Sequence, residues 1–133
     1  MNKQDIKKYY FSEVIAKDVG VEEAIMFSNI FFWVELNKRN KDKYHFHNNK
    51  YWMYNAVRDF TEQYPFWTTS KIRRILGNLE KKQYIETGVF NRFGYDKTKW
   101  YTITEKATDK VETDKEFVEN INAFSENPPT YTR

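Results

Sequence analysis

Four aliphatic residues, Ile72, Ile75, Leu76 and Leu79, stand at i, i+3, i+4 and i+7 between Thr68 and Lys82. That spacing puts them on one stripe of an α-helix, and it narrows the fold more than any other feature of the chain. The opposite face carries Lys71, Arg74, Asn78 and Lys81, with Arg73 beside them. Thr68 or Thr69 is placed to cap the helix, because a hydroxyl there can accept an otherwise orphaned backbone N–H. The segment is therefore expected to hold a core with one face and present cations with the other.

The flanking segments fix what can surround this helix. Upstream, Asn55 suits an N-cap and Ala56 to Tyr64 a two-turn helix with Val57 and Phe60 inward, which Pro65 brings to an end. Downstream, Ile85–Asn91 and Lys99–Thr104 are expected as two strands. They are joined by the turn Arg92-Phe93-Gly94-Tyr95-Asp96-Lys97-Thr98, which has basic residues at both ends. Earlier in the chain, Ile6 to Asp18 is compatible with a short helix, and Gly20 punctuates it. The longest helical pattern then runs from Val21 to about Asn37, with Glu22 and Glu23 in its first turn and Lys38 and Arg39 at its end, as the helix dipole favours. This helix is apolar nearly all round and is expected to be central and buried. Residues 38–50, rich in lysine and asparagine, are expected as a polar loop, and Tyr51-Trp52-Met53-Tyr54 as a short strand. Lys115 to Phe124 suits a short amphipathic helix using Phe117, Val118, Ile121 and Phe124, and Asn127-Pro128-Pro129 breaks it ahead of a mobile end.

Charge divides the chain in two. Residues 1–104 hold 18 Lys/Arg against 12 Asp/Glu, a net of +6, whereas residues 105–133 hold 4 against 7, a net of −3. A basic, aromatic-rich body with an acidic tail fits an anionic partner, although lysine-rich proteins of other kinds share this pattern. The absence of cysteine excludes disulfides, thiolate metal sites and cysteine nucleophiles. Met1-Asn2-Lys3-Gln4-Asp5 has no apolar stretch behind a basic end, so a cytoplasmic protein without a secretory signal is expected. The apolar cluster Ile30-Phe31-Phe32-Trp33-Val34 is too short to span a bilayer, so no membrane partner is expected.

Long helix, short strand, short helix, tight turn, basic helix and basic-tipped hairpin, in that order, predict an α+β, mainly helical fold. The arrangement is that of a winged helix-turn-helix with a β-hairpin wing over residues 1–104, followed by an acidic tail. In such a unit the second helix of the pair enters the major groove of duplex DNA, the only groove that both admits a helix and distinguishes each base pair. Lys71, Arg73, Arg74 and Asn78 are the candidates for groove contacts. Thr68, Thr69 and Ser70 would offer hydroxyls and backbone N–H groups to phosphate, and Arg92, Lys97 and Lys99 would follow the backbone beside the wing. The alternative, that this basic face is merely solvated, weakens when the preceding helix, the turn and the hairpin occur together.

These residues also resemble a known family. Trp52-Met53-Tyr54-Asn55, Phe60, Gln63-Tyr64-Pro65-Phe66-Trp67-Thr68, Ile72-Arg73-Arg74-Ile75-Leu76 and Leu79-Glu80 are similar to the N-terminal domain of phage and prophage replication proteins. These are the replisome-organiser or DnaD-like initiators of Gram-positive bacteria and their phages. Tyr84-Ile85, Gly88-Val89-Phe90-Asn91 and Tyr95-Asp96-Lys97-Thr98-Lys99-Trp100-Tyr101 continue the match, which spans about residues 11–104. The resemblance implies origin-type binding of double-stranded DNA and recruitment of host replication machinery. The second job usually needs a further C-terminal domain, and 29 residues follow the second wing strand here. Within these motifs Trp52, Phe66, Trp67, Trp100 and Tyr101 are expected to pack the wing and turn, Asp96 to serve the turn, and Glu80 to face a lysine.

Two other classes compete. His45-Phe46-His47 matches the His-hydrophobic-His pattern by which rolling-circle nicking enzymes hold a divalent metal while a tyrosine attacks the phosphodiester. In those enzymes the pair lies in an apolar strand. Here it lies in the most polar stretch, so a surface pair, no catalytic residue, no cofactor and no metal are expected. A transcriptional regulator or a protein-interaction module could use the same fold, and the tail residues Phe117, Ile121 and Phe124 leave homodimerisation open.

Overall fold

The computed structural model describes residues 7–124, except for the side chain of Phe124; the expected end of the last helix at Asn127-Pro128-Pro129 lies outside the described residues. The fold is α+β, with six helices and two small antiparallel sheets among the described residues. Helices α1 (Glu13–Val19) and α2 (Val21–Arg39) come first. A single 3-10 turn, Lys43–His45, then leads into the strands β1 (Phe46–His47), β2 (Lys50–Tyr51) and β3 (Met53–Tyr54). Helices α3 (Val57–Gln63) and α4 (Thr69–Lys81) follow, then the strands β4 (Ile85–Gly88) and β5 (Trp100–Ile103) and the helices α5 (Glu105–Val111) and α6 (Lys115–Phe124). No helix among the described residues is long and apolar enough to cross a membrane.

The junction between α1 and α2 shows why glycine is needed at position 20. Its φ is +103°, and a Cβ there would sit 2.8 Å from the Glu23 carboxylate. Helix α2 then runs through the centre, burying Ala24, Met26, Phe27, Ile30, Phe31, Phe32 and Val34 as its all-round apolar pattern predicts. Ile72, Ile75, Leu76 and Leu79 of α4 are all buried against it, as their spacing requires. Thr68 caps α4 by accepting the Lys71 N–H at 3.1 Å. Gln83 in the left-handed region (φ 62°) ends it, with Tyr84 N–H donating to Leu79 O and Gln83 N–H to Glu80 O, both at 2.9 Å. This paired closure satisfies the last carbonyls and turns the chain directly into β4.

The principal sheet has the order β3-β5-β4, all antiparallel, with Met53 opposite Tyr101 and Ile85 opposite Ile103. Segment 38–50 departs from the expected loop. It contains the 3-10 turn and the hairpin β1–β2, whose turn residues Asn48 and Asn49 both have positive φ (50° and 64°). Two such residues make the primed turn whose twist suits a tight hairpin, and asparagine tolerates that conformation better than most side chains. Asn55 is not the cap of α3. Ala56 occupies that position without a side-chain bond, and Asn55 is buried instead. The segment read as an acidic tail forms α5 and α6, whose Ala107, Val111, Phe117 and Ile121 join the core. Ser12 Oγ donates to Asp114 Oδ2 at 2.6 Å, linking the start of α1 to the turn ahead of α6.

Candidate nucleic-acid interface

The α4 helix has three distinct sides besides its buried stripe. One flank is held by α2: Lys71 Nζ lies 2.5 Å from Glu22 Oε2, and Asn78 Nδ2 donates to Glu23 Oε2 at 2.8 Å. Glu22 and Glu23, which the dipole favours in the first turn of α2, thus also hold the polar flank of α4. Lys71 and Asn78 are half-buried by these contacts, so neither projects with the other candidate groove residues. Residue spacing does not separate them from Arg74, because it cannot say which neighbour covers a flank.

The outermost side is the series Ser70, Arg74, Gly77 and Lys81, all exposed. Their separations of four, three and four residues keep them on one line. Gly77 is unusual here. Glycine in a helix interior is less stable than alanine by about 0.5–1 kcal/mol. Yet no atom lies within 4 Å of the position a Cβ would take, so internal packing does not require it. Its effect is to lower the profile of the outward face between Arg74 and Lys81.

The third side opens on a cleft of about 460 Å³ between α3, α4 and the β4–β5 hairpin. Arg58 of α3, Arg73 of α4, and Lys97 and Lys99 of the hairpin line it. Arg73, Arg74, Lys97 and Lys99 are exposed and form no ion pair among the described residues. Arg58 was missed in the sequence because its helix is short and its neighbours Val57 and Phe60 read as core. Glu80, the one carboxylate in the lining, accepts the Thr87 hydroxyl at 2.9 Å rather than facing a lysine. Tyr101 forms part of the cleft wall, and burial, reinforced by the Glu80 charge, pushes its phenol up to about 12. Buried Asn55 also borders the cleft, with neither atom of its side-chain amide hydrogen-bonded among the described residues.

The hairpin has a packed base and a bare tip. At the base, Trp52 meets Phe90 edge-on at 4.8 Å and Trp100 is fully buried. Trp67 and Tyr101 are buried as expected, whereas Phe66 is 58% exposed and touches Tyr9 and Trp67 edge-on. At the tip, Arg92 sits 5.4 Å over the Phe93 ring, and Phe93 stacks on Tyr95 at 5.5 Å. Asp96 serves the turn: its Oδ1 accepts the Thr98 N–H at 3.0 Å, and this bond holds its carboxyl below the ordinary value.

The histidine pair is placed differently from the expected surface site. His45 is buried with Nδ1 3.0 Å from Asp42 Oδ2, and its ring stacks near Tyr54. His47 lies flat on Phe90 at 4.6 Å, with Nε2 3.0 Å from the Tyr44 carbonyl oxygen. Burial works against ionisation of the Asp42 carboxyl, but its bond and attraction to His45, with the backbone N–H groups of Tyr44 and His45, outweigh this and lower its pKa. Among the described residues no group of three or more His, Asp or Glu side chains is disposed to hold a metal ion. Both rings pack on aromatic side chains at the base of the hairpin, His45 on Trp100 and His47 on Phe90 and Trp100. The chain shows no significant match to any protein-family model, curated protein or solved structure.

Proposed function

We propose that this chain binds double-stranded DNA as a winged helix-turn-helix, with α4 in the major groove and the β4–β5 hairpin as the wing. One observation carries the reading: Arg58, Arg73, Lys97 and Lys99, from three separate elements, converge on one cleft beside the exposed line Ser70, Arg74, Gly77 and Lys81. A helix is about 10–12 Å across and the major groove about 12 Å wide, so α4 fits with its outward line against base edges. Arg73 and Arg74 then serve as donors to bases or adjacent phosphates. Lys97 and Lys99 neutralise the neighbouring backbone, which supplies affinity without sequence information. Thr69 and Ser70 stand exposed at the N-terminal end of α4, where free N–H groups suit a phosphate, while the Thr68 hydroxyl is occupied as the cap.

The order α3, turn, α4, hairpin and the sheet order β3-β5-β4 support the winged-helix assignment. The resemblance of residues 11–104 to phage and prophage initiators makes replication initiation the biological setting we favour, with host replication proteins as further partners. A titration of the isotope-labelled chain with a short duplex tests the reading by NMR. Saturable shifts are expected for the amides of residues 70–81 and 92–99, with α1 and α6 unmoved. No saturable shift with any duplex at low salt, or shifts confined to α1 and α6, would refute it.

A further inference from the structure

We propose that the wing tip is a nucleobase-stacking site, in which Phe93 and Tyr95 capture unpaired bases of opened or single-stranded DNA. The setting rests on the duplex reading above, but the site itself rests on three separate observations.

The first is exposure. Phe93 is 52% and Tyr95 82% exposed, and their rings are nearly parallel, 5.5 Å apart with 13° between the planes. A turn needs no aromatic side chains, and an apolar pair held in water is disfavoured unless a partner covers it.

The second is bracing. Asn91, at the foot of the turn, donates through Nδ2 to the carbonyl oxygens of Asp96 and Thr98 at 2.8 and 2.9 Å. Its Oδ1 accepts from Nε1 of the buried Trp100 at 2.7 Å. The Asp96 N–H donates to Phe93 O at 3.0 Å, and the Asp96 carboxylate is taken up by the Thr98 N–H. The tip is thus tied to the hydrophobic base of the wing, and little further ordering is needed when the pair binds.

The third is charge. Arg92 lies over Phe93, and Lys97 and Lys99 are exposed in the same hairpin. A partner that offers flat π surfaces together with negative charge satisfies both features, and that combination describes nucleotides. In an intact duplex the faces of the bases are occupied by their neighbours, so this chemistry selects bases that are unpaired, flipped or at a junction. A protein surface rich in apolar groups would meet the aromatic pair but not the cations.

The experiment compares the full chain with its Phe93→Ala/Tyr95→Ala variant by fluorescence anisotropy on three labelled DNAs: an intact duplex, the same duplex with a short unpaired bubble, and a single strand. Both substitutions are at exposed positions, and unchanged melting temperature verifies that the fold is retained. Wild type is expected to bind the bubble roughly tenfold tighter than the intact duplex, the scale of one stacked base. The variant should lose that preference and bind the bubble no more tightly than the intact duplex. Equal binding of bubble and intact duplex by wild type, or a preference that survives in the variant, overturns the proposal. Binding of bubble and single strand that depends on the pair, with no binding of the intact duplex, keeps the stacking site and overturns the α4 duplex reading. Failure to bind all three DNAs overturns both, and points to a protein partner at the tip.

Discussion

The two flanks of α4 carry similar polar residues and treat them in opposite ways. On the flank facing α2, Lys71 and Asn78 are fastened by Glu22 and Glu23. On the outward line and the cleft flank, Arg74 and Arg73 stand in solvent without an ion partner among the described residues. The first arrangement ties α4 to α2; the second leaves charge exposed. The contrast shows that a basic helix face is better understood as a positioned set of groups than as a total of charges.

The contrast can be broken at several points, and the largest expected effect lies on the body side. Tyr101 has its pKa raised to about 12 by burial, whereas an unfolded tyrosine titrates near 10. Its neutral phenol therefore stabilises the fold fully below about pH 10, and that contribution is lost as pH rises through 12. Over this window about 2–3 kcal/mol should disappear, measured as urea-unfolding free energy against pH. Tyr84 and Tyr9 are shifted upward by burial as well, so a Tyr101→Phe variant should show a shallower alkaline slope, and an unchanged slope would assign the loss to those two groups.

Glu23→Ala comes next. It removes the acceptor of a part-buried, charge-assisted bond to Asn78 and should cost about 1–3 kcal/mol in thermal or urea unfolding. If α4 is set by this contact, the variant should also weaken duplex binding although Glu23 lies outside the proposed interface. Unchanged stability would mean that the α2 flank does not position α4.

The smallest effect has two opposed signs. Gly77→Ala should raise stability by about 0.5–1 kcal/mol, since a Cβ there meets open space and helical backbone entropy is reduced. The same methyl group stands on the outward line and should weaken duplex binding. A variant that is more stable and binds equally well would remove Gly77 from the interface.

What could be read in the sequence follows from the length scale of each signal. The α4 stripe and its Thr68 cap were visible because four core positions recur over two turns. The β1–β2 hairpin was hidden because each strand has two residues, too few to show alternation, and its turn is Asn48-Asn49 without glycine. Helix α5 was equally silent, having only Ala107 and Val111 to bury. Site residues divided along similar lines. Arg73, Lys97 and Lys99 were visible as cations on a predicted face and hairpin. The fastening of Lys71 and Asn78, the cleft position of Arg58 and the stacking of Phe93 on Tyr95 depend on neighbours distant in sequence or on a turn geometry that periodicity does not encode.

The most direct test of the central claim is fluorescence anisotropy of a labelled duplex with wild type and the Arg73→Ala/Arg74→Ala variant, at salt from about 50 to 200 mM. Both arginines are exposed, so the melting temperature should be unchanged. Wild-type affinity should fall steeply with salt, and the variant should bind at least about tenfold more weakly, the loss of one or more direct contacts at 1–3 kcal/mol each. Equal binding by the two proteins, or wild-type affinity indifferent to salt, would contradict the assignment of this face of α4 to DNA.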